Sequence, residues 1–258
     1  MEVHHHPKFE KKGFKEYFLE FLMIFLAVTL GFFAEGYREH VSDRAKEKDY
    51  MKSFLADLRT DSAFLEISIN KLIPYHITWL DSAVHLFLMH DLRSNARVIY
   101  QAYFLGTAWT YNFHPTERTL SQLRNEGFRL IKNKNAAGII SQLEDEYKFH
   151  SQEIAFVQTM QNDIDFSAAL FADKNVVDKI SRITFQKIQD DPFVTLQLSD
   201  IPASATINTD NTEKLMAYAE KLKNYSYYLQ ANIKLDNFIC LIQITKTINV
   251  LRKEYHLE

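Results

Sequence analysis

The segment from Phe14 to Tyr37 limits the folds open to this chain more than any other part of the sequence. It reads FKEYFLEFLMIFLAVTLGFFAEGY, and its central stretch from Phe21 to Ala34 carries no charged residue. A helix rises about 1.5 Å per residue, so a helix over this segment is long enough to cross a hydrocarbon layer of about 30 Å. Tyr17, Tyr37 and several phenylalanines are distributed as in an interfacial aromatic belt. We therefore predict one transmembrane helix at residues 14–37, after a short tail at residues 1–13.

Two alternatives to a membrane span stay open for this segment: a buried core helix and a cleaved signal peptide. A signal peptide would have small residues in an A-x-A-like pattern after its apolar run. This chain has Phe33, Ala34, Glu35 and Gly36 there, which is a poor cleavage site. An uncleaved signal anchor therefore fits the sequence better than a cleaved leader.

The charges on either side of the segment bear on its orientation. Cytoplasmic flanks of membrane helices carry an excess of Lys and Arg. Here the flanks are nearly balanced, with Lys8, Lys11, Lys12 and Lys15 before the segment and Arg38, Arg44, Lys46 and Lys48 after it. The first flank is denser, whereas Glu35, Glu39 and Asp43 interrupt the second. We predict a single-pass protein of the bacterial inner membrane, with its N-terminus inside and its soluble domain in the periplasm.

One face of the predicted span is suited to contact a second helix. Glu20, Ile24, Ala27, Gly31 and Ala34 recur at helical spacing, and Ala27 and Gly31 form a small-x-x-x-small pair. Small residues let two helix backbones approach closely, and a carboxyl group on the same face can be hydrogen-bonded between helices. The pattern predicts a homo-oligomer. The alternative, that the small residues occur by chance and Glu20 extends toward the lipid headgroups, stays open.

Residues 38–258 are predicted to form a soluble all-α helical bundle with long helices. The chain is 47% hydrophobic and 14% aromatic, which is ample for a packed core, and its six glycines allow few tight turns. Apolar residues return every three or four positions in three long segments, which are residues 38–71, 136–173 and 212–255. We expect Pro74 to kink or end the first of these helices, and Thr116 to cap the start of another.

Composition also argues against several kinds of function. The formal net charge is −3, and basic and acidic residues are intermixed, so no broad basic surface is available for nucleic acid. The glycines do not fall in the spacing of a P-loop or a dinucleotide-binding motif. The lone Cys240 cannot form an internal disulfide or join a thiolate cluster. We predict no nucleic-acid partner and no cofactor.

Two sets of residues are candidates for binding chemistry. Glu146, His150 and Glu153 would share one face of the helix at residues 136–173, and carboxylate and imidazole at this spacing can ligate a metal in a bundle core. The ferritin-type motif, however, repeats Glu-x-x-His on a second helix, and the sequence has no second copy. The other set could line a pocket for an apolar or aromatic ligand, or simply pack in the core; its members are Tyr100, Tyr103, Trp109, Tyr111 and Phe113.

Two blocks of the sequence, together about a fifth of the chain, resemble a known kind of protein. They are LEFLMIFLAVTLGFFAEGYREH, from Leu19 to His40, and TLSQLRNEGFRLIKNKNAAGIISQLEDEY, from Thr119 to Tyr147. Both resemble an uncharacterised family of bacterial single-span membrane proteins, of the domain-of-unknown-function type. The resemblance implies a membrane-anchored helical domain and no known activity. The matching residues Gly127, Leu130, Ile131 and Asn133 imply a turn that shapes the fold.

Three hypotheses for function follow from these observations. The first is a membrane-anchored helical scaffold, sensor-like or assembly component without catalytic activity, bound to the lipid bilayer and working as a homo-oligomer with envelope proteins as partners. The second is a helical enzyme or a ligand- or metal-binding domain that uses one of the two residue sets above. The third is a subunit of an envelope transport or channel complex, in which Glu20 would face a pore.

Overall fold

A single long helix dominates the structure at its N-terminal end. The computed structural model describes residues 13–89, 92, 94–107, 113–125, 128–169, 171–190, 196–208 and 211–258. Helix α1 spans Phe14–Ile67, a π-helical turn follows at Ser68–Leu72, and helix α2 spans Ile73–Leu88. The three elements form one helical segment of 75 residues. The predicted span is therefore continuous with the helix predicted for residues 38–71.

Pro74 does not end this helix, although proline lacks the backbone N–H that an α-helix needs. It lies in the first turn of α2, directly after the π-helical turn. There the N–H of Ile73 donates to the carbonyl of Ser68, five residues back. A π-helical turn shifts the hydrogen-bond register by one residue. The helical segment continues past Pro74 without a loop.

The other described elements are also helical. They are α3 (Ala96–Thr107), α4 (Arg118–Asn125), α5 (Lys134–Ala168), α6 (Lys174–Asp190), a 3₁₀ turn (Leu198–Asp200), α7 (Thr212–Tyr228), a second π-helical turn (Leu229–Ile233) and α8 (Lys234–Tyr255). Within the described residues, the β-structure consists of an isolated antiparallel bridge between Ala172 and Ile207. The prediction of an all-helical chain is confirmed, and the long helix predicted for residues 136–173 ends at Ala168.

Two hydrophobic cores follow one another along the bundle. One core lies nearer the predicted membrane span and is called the anchor-side core. It joins α1, α4, the first half of α5 and α8, through residues such as Met51, Phe54, Leu58, Leu65, Leu120, Leu143, Ile244 and Leu251. The distal core joins α2, α3, the second half of α5, α6 and α7, through residues such as Leu80, Phe87, Tyr100, Ile164, Ile180, Leu222 and Tyr225. Helix α5 contributes to both cores and therefore connects them.

The apolar first part of α1 stands apart from both cores. By length and composition this helix could cross a membrane, and the most apolar window of 18 residues is 0% buried. Phe32 and Phe33 are 76% and 72% exposed. Within one copy of the chain, the segment is therefore not a buried core helix. A Cβ atom added at Gly31 or Gly36 would meet nothing within 4 Å, so larger residues fit there without disturbing the fold.

Two buried carboxylates on α1 hold the start of α4. Asp57 accepts hydrogen bonds from the backbone N–H of Thr119 (3.1 Å), from the Thr119 hydroxyl and from Arg118. Asp61 accepts from the N–H (3.1 Å) and the hydroxyl (2.7 Å) of Thr116. These carboxylates satisfy N–H groups at a helix start, where negative charge is favourable. The prediction that Thr116 caps α4 with its own side chain is therefore wrong.

A third buried carboxylate on α1 holds the turn before α5. Glu47 accepts hydrogen bonds from the backbone N–H groups of Lys132 (2.8 Å) and Asn133 (3.2 Å) and from the hydroxyl of Tyr255 (2.6 Å). Asn133 caps α5, because its side-chain oxygen accepts from the N–H groups of Asn135 and Ala136. The structure has a turn at residues 128–130, followed by the helix cap at Asn133, whereas Gly127 lies outside the described residues.

Replacing Asp57 with Ala should lower the free energy of unfolding by about 2–4 kcal/mol, because buried donors then lose a charged acceptor. The matched control is Asp49→Ala on the same helix. Asp49 is exposed, and its ion-pair partner among the described residues is Lys52 at 3.2 Å, so its loss should change stability by less than about 0.5 kcal/mol. Chemical denaturation in detergent, followed by circular dichroism, measures both values. Equal effects of the two substitutions would show that Asp57 does not anchor α4.

Candidate functional site

A buried pair of hydrogen-bonded side chains, His150 and Asp236, lies between α5 and α8. The His150 side chain is fully buried, its Nδ1 atom forms a hydrogen bond with the Asp236 carboxylate, and its Nε2 atom lies 3.2 Å from the carbonyl oxygen of Phe113. The Asp236 carboxylate and the Phe113 carbonyl oxygen are both hydrogen-bond acceptors. The pair joins α5, α8 and the segment before α4.

The predicted metal set does not share a common centre in this arrangement. His150 uses both ring nitrogens within the protein, and Glu153 accepts a hydrogen bond of 2.5 Å from Tyr228. Burial, and next the charge of Asp236, raise the pKa of Glu146. Among the residues that the structure describes, no group of three His, Cys, Asp or Glu side chains is placed to hold a metal ion. The metal site stays a prediction.

Asp236 is the important residue of this cluster that the sequence patterns did not indicate. It lies on the apolar face of the last helical segment, where Leu229, Ile233 and Cys240 are also buried. A single carboxylate within an apolar face is a signal for a buried pair, because an unpaired buried charge is costly. The partner on α5 could not be identified from sequence, since it is 86 residues away.

Among the predicted aromatic residues, Tyr103 lines a cavity of the bundle. The cavity has a volume of about 590 Å³ and lies between α3, α5 and α6. Its lining residues are Tyr103, Phe104, Gln161, Asp165, Ala168, Ala169, Ala172, Lys174, Val177 and Ser181. Tyr100 instead bonds to the backbone of Asp173 and Thr206, and Phe113 packs in the anchor-side core. Trp109 and Tyr111 lie outside the described residues.

The cavity is lined by one carboxylate, that of Asp165, and by one ammonium group, that of Lys174. Asp165 accepts a hydrogen bond of 2.7 Å from the hydroxyl of Tyr103. Burial raises the pKa of Asp165, and burial together with the charge of Asp165 raises the pKa of Tyr103 and of Tyr225. The buried hydroxyls of Tyr218 and Tyr225 have no hydrogen-bond partner among the described residues. The arrangement can accept hydrogen bonds from a cationic group, and Tyr103 and Phe104 offer it aromatic faces.

The predicted helix–helix interface lies on the exposed part of α1. Glu20, Ile24, Ala27, Gly31 and Ala34 are all exposed in a single copy of the chain. They occupy one face of a continuous α-helix, as their spacing predicts. A second copy is needed to test whether they form an interface, so this assignment stays a prediction.

Comparison of the chain with models of protein families, with curated proteins and with solved structures finds no match. The resemblance carried by residues 19–40 and 119–147 stays a prediction.

Proposed function

We propose that this chain is a single-pass membrane protein whose helical bundle works as a scaffold, sensor-like or assembly component without catalytic activity. The observation that supports this proposal most is the continuity of α1. The same helix begins as an exposed apolar segment at Phe14 and supplies Met51, Phe54 and Leu65 to the anchor-side core. The proposed membrane anchor and the folded bundle therefore share one element, with no linker between them.

This continuity suits transmission or assembly better than simple tethering. A helix of 75 residues is about 110 Å long if straight. A shift or rotation of the span would be transmitted to the anchor-side core, because Glu47, Asp57 and Asp61 bind α1 to other parts of the bundle. Association of two spans would likewise bring two bundles together. A flexible tether would pass on neither the position nor the rotation of the span.

The proposal includes a location and partners. We place the anchor in the bacterial inner membrane because of the resemblance carried by residues 19–40 and 119–147, and the bundle in the periplasm because of the denser lysines before the span. The expected partners are the lipid bilayer, a second copy of the chain and other envelope proteins. A subunit of a transport or channel complex is the alternative that would use the same anchor, with Glu20 facing a pore.

The proposal predicts that the full chain is recovered with membranes and that replacing Gly31 with Leu weakens its oligomers. A leucine side chain would separate two helices that meet at the Ala27–Gly31 pair. The matched control is Gly36→Leu, which is equally unhindered in one chain and lies on another face. Chemical cross-linking in isolated membranes and in mild detergent measures the oligomer fraction. Recovery of the intact chain from the aqueous fraction without detergent would contradict the anchor, and unchanged cross-linking of Gly31→Leu would contradict the interface.

The cavity beside Asp165 favours a second candidate function, the binding of a small amine. The cavity volume of about 590 Å³ is within the usual range for small-molecule sites. Asp165 and Tyr103 would accept hydrogen bonds from the ammonium group, and Phe104 would pack against its apolar part. Such a ligand would contact α3, α5 and α6 together. Its binding would therefore stabilise the packing of these three helices in the distal core.

Benzylamine should bind the full chain about tenfold more tightly than benzyl alcohol, because a charge-assisted hydrogen bond adds to the same apolar contact. Asp165→Asn should remove the difference between the two probes. Asp163→Asn is the control, since Asp163 is two positions away and pairs with Lys221 at 2.8 Å. Isothermal titration calorimetry in detergent measures the affinities. Equal affinities of the two probes for the unaltered chain would contradict an amine site.

A further inference from the structure

A cleft rich in basic residues lies at the end of the bundle from which the apolar part of α1 emerges. It has a volume of about 430 Å³ and is formed by α1, the turn before α5 and the end of α8. Its lining residues are Arg44, Glu47, Lys48, Lys132, Asn133, Glu254, Tyr255 and His256. Four of these eight residues are basic.

Both carboxylates of the cleft are held by uncharged donors of the protein. Glu47 is buried and accepts hydrogen bonds from the backbone of Lys132 and Asn133 and from Tyr255. The side-chain amides of Asn133 and Asn135 both donate to Glu254. Hydrogen bonds from these two amides lower the pKa of Glu254. These bonds hold the three walls of the cleft together.

Three of the four basic side chains of the cleft have no ion-pair partner among the described residues. Arg44, Lys48 and Lys132 are exposed, and none of them forms an ion pair with another described residue. The first turn of α5 starts at the same cleft and adds the partial positive charge of a helix N-terminus. These positive charges make the cleft suited to bind an anion.

The position of the cleft along α1 indicates where that anion comes from. Arg44 and Lys48 follow Tyr37, the end of the proposed span, by seven and eleven residues. In a helix these separations correspond to about 10 and 16 Å. The headgroup layer extends about 5–8 Å beyond the hydrocarbon, and the Debye length is about 8–10 Å in physiological salt. Both side chains thus lie within electrostatic range of the lipid phosphates.

We propose that this cleft binds the phosphate of anionic phospholipid headgroups. The proposal rests on the proposed membrane span, because only an inserted span brings the cleft to the headgroups. Basic groups close to an anionic surface are each attracted to it, and a guanidinium group can bind phosphate through two hydrogen bonds. Headgroup binding would hold the bundle against the bilayer in one orientation, with α8 and the turn before α5 facing the lipid.

The test is lipid binding by the full chain in detergent, measured by native mass spectrometry. The probes are dioleoylphosphatidylglycerol and dioleoylphosphatidylcholine, which differ in net charge and share their acyl chains. We expect the unaltered chain to bind the anionic lipid about tenfold more tightly. The double variant Lys48→Glu/Lys132→Glu should lose this preference. Equal binding of the two lipids by the unaltered chain would overturn the proposal.

The control variant Lys46→Glu/Lys179→Glu changes the net charge equally and alters exposed residues that do not line the cleft. It should keep the preference, and a similar loss in both variants would show a general charge effect and overturn the cleft as the site. Circular dichroism checks that both variants fold alike.

Inorganic phosphate distinguishes a lipid site from a site for a free anion. We expect millimolar phosphate to leave most of the anionic lipid bound, and full displacement at that concentration would overturn the assignment to lipid. Membrane fractionation separates this proposal from the one on which it rests. A chain that stays with membranes but shows no preference for anionic lipid contradicts the cleft alone, whereas a chain found in the aqueous fraction contradicts the span.

Discussion

The continuity of the helix from Phe14 to Leu88 is the constraint on which the rest of this structure depends. Its first part is apolar on all sides, and its later part is apolar on one side only. A helix of the first kind satisfies its backbone polar groups internally, which is what a lipid environment requires. A helix of the second kind needs a partner in water. The bundle supplies this partner, and its two cores are arranged along α1 and α2.

Buried carboxylates determine how the remaining segments meet this helix. Burying a charge is costly unless hydrogen bonds compensate. Glu47, Asp57 and Asp61 each receive such bonds from a different place between Thr116 and Asn133. Apolar contacts alone tolerate small shifts between helices, whereas a carboxylate that must meet specific N–H groups does not. We infer that these three residues set the register in which α4 and the turn before α5 dock on α1.

The sequence patterns predicted the helices well because helical periodicity is a local property. The apolar repeat of Met51, Phe54, Leu58 and Leu65 indicated the helix that forms one wall of the anchor-side core. The patterns did not predict hydrogen bonds between residues that are far apart in the sequence. Asp57 and Asp61 bind residues 55 to 86 positions away, so Thr116 was assigned to the wrong role. The partners of His150 were also hidden, because they lie on other elements.

The candidate sites show the same division between local and long-range information. The spacing of Glu146, His150 and Glu153 on one helix was correct, but their partners are Asp236 and Tyr228 on the last two helices. The basic cleft joins residues that are up to 212 positions apart, such as Arg44 and His256. No local pattern connects them. Only the antiparallel packing of α8 on α1 brings them together.

A distance measurement along α1 tests the continuity of anchor and bundle most directly. Nitroxide labels at Leu30 and Thr60 would lie on either side of the proposed membrane boundary, and both positions are exposed. In a Cys240→Ala background, with excess unlabelled chain in lipid nanodiscs, double electron–electron resonance reports the distance within one chain. An unbroken helix predicts one narrow distribution near about 45 Å. A broad distribution, or a mean below about 35 Å, would show that the helix breaks or bends between the two labels and would contradict this account.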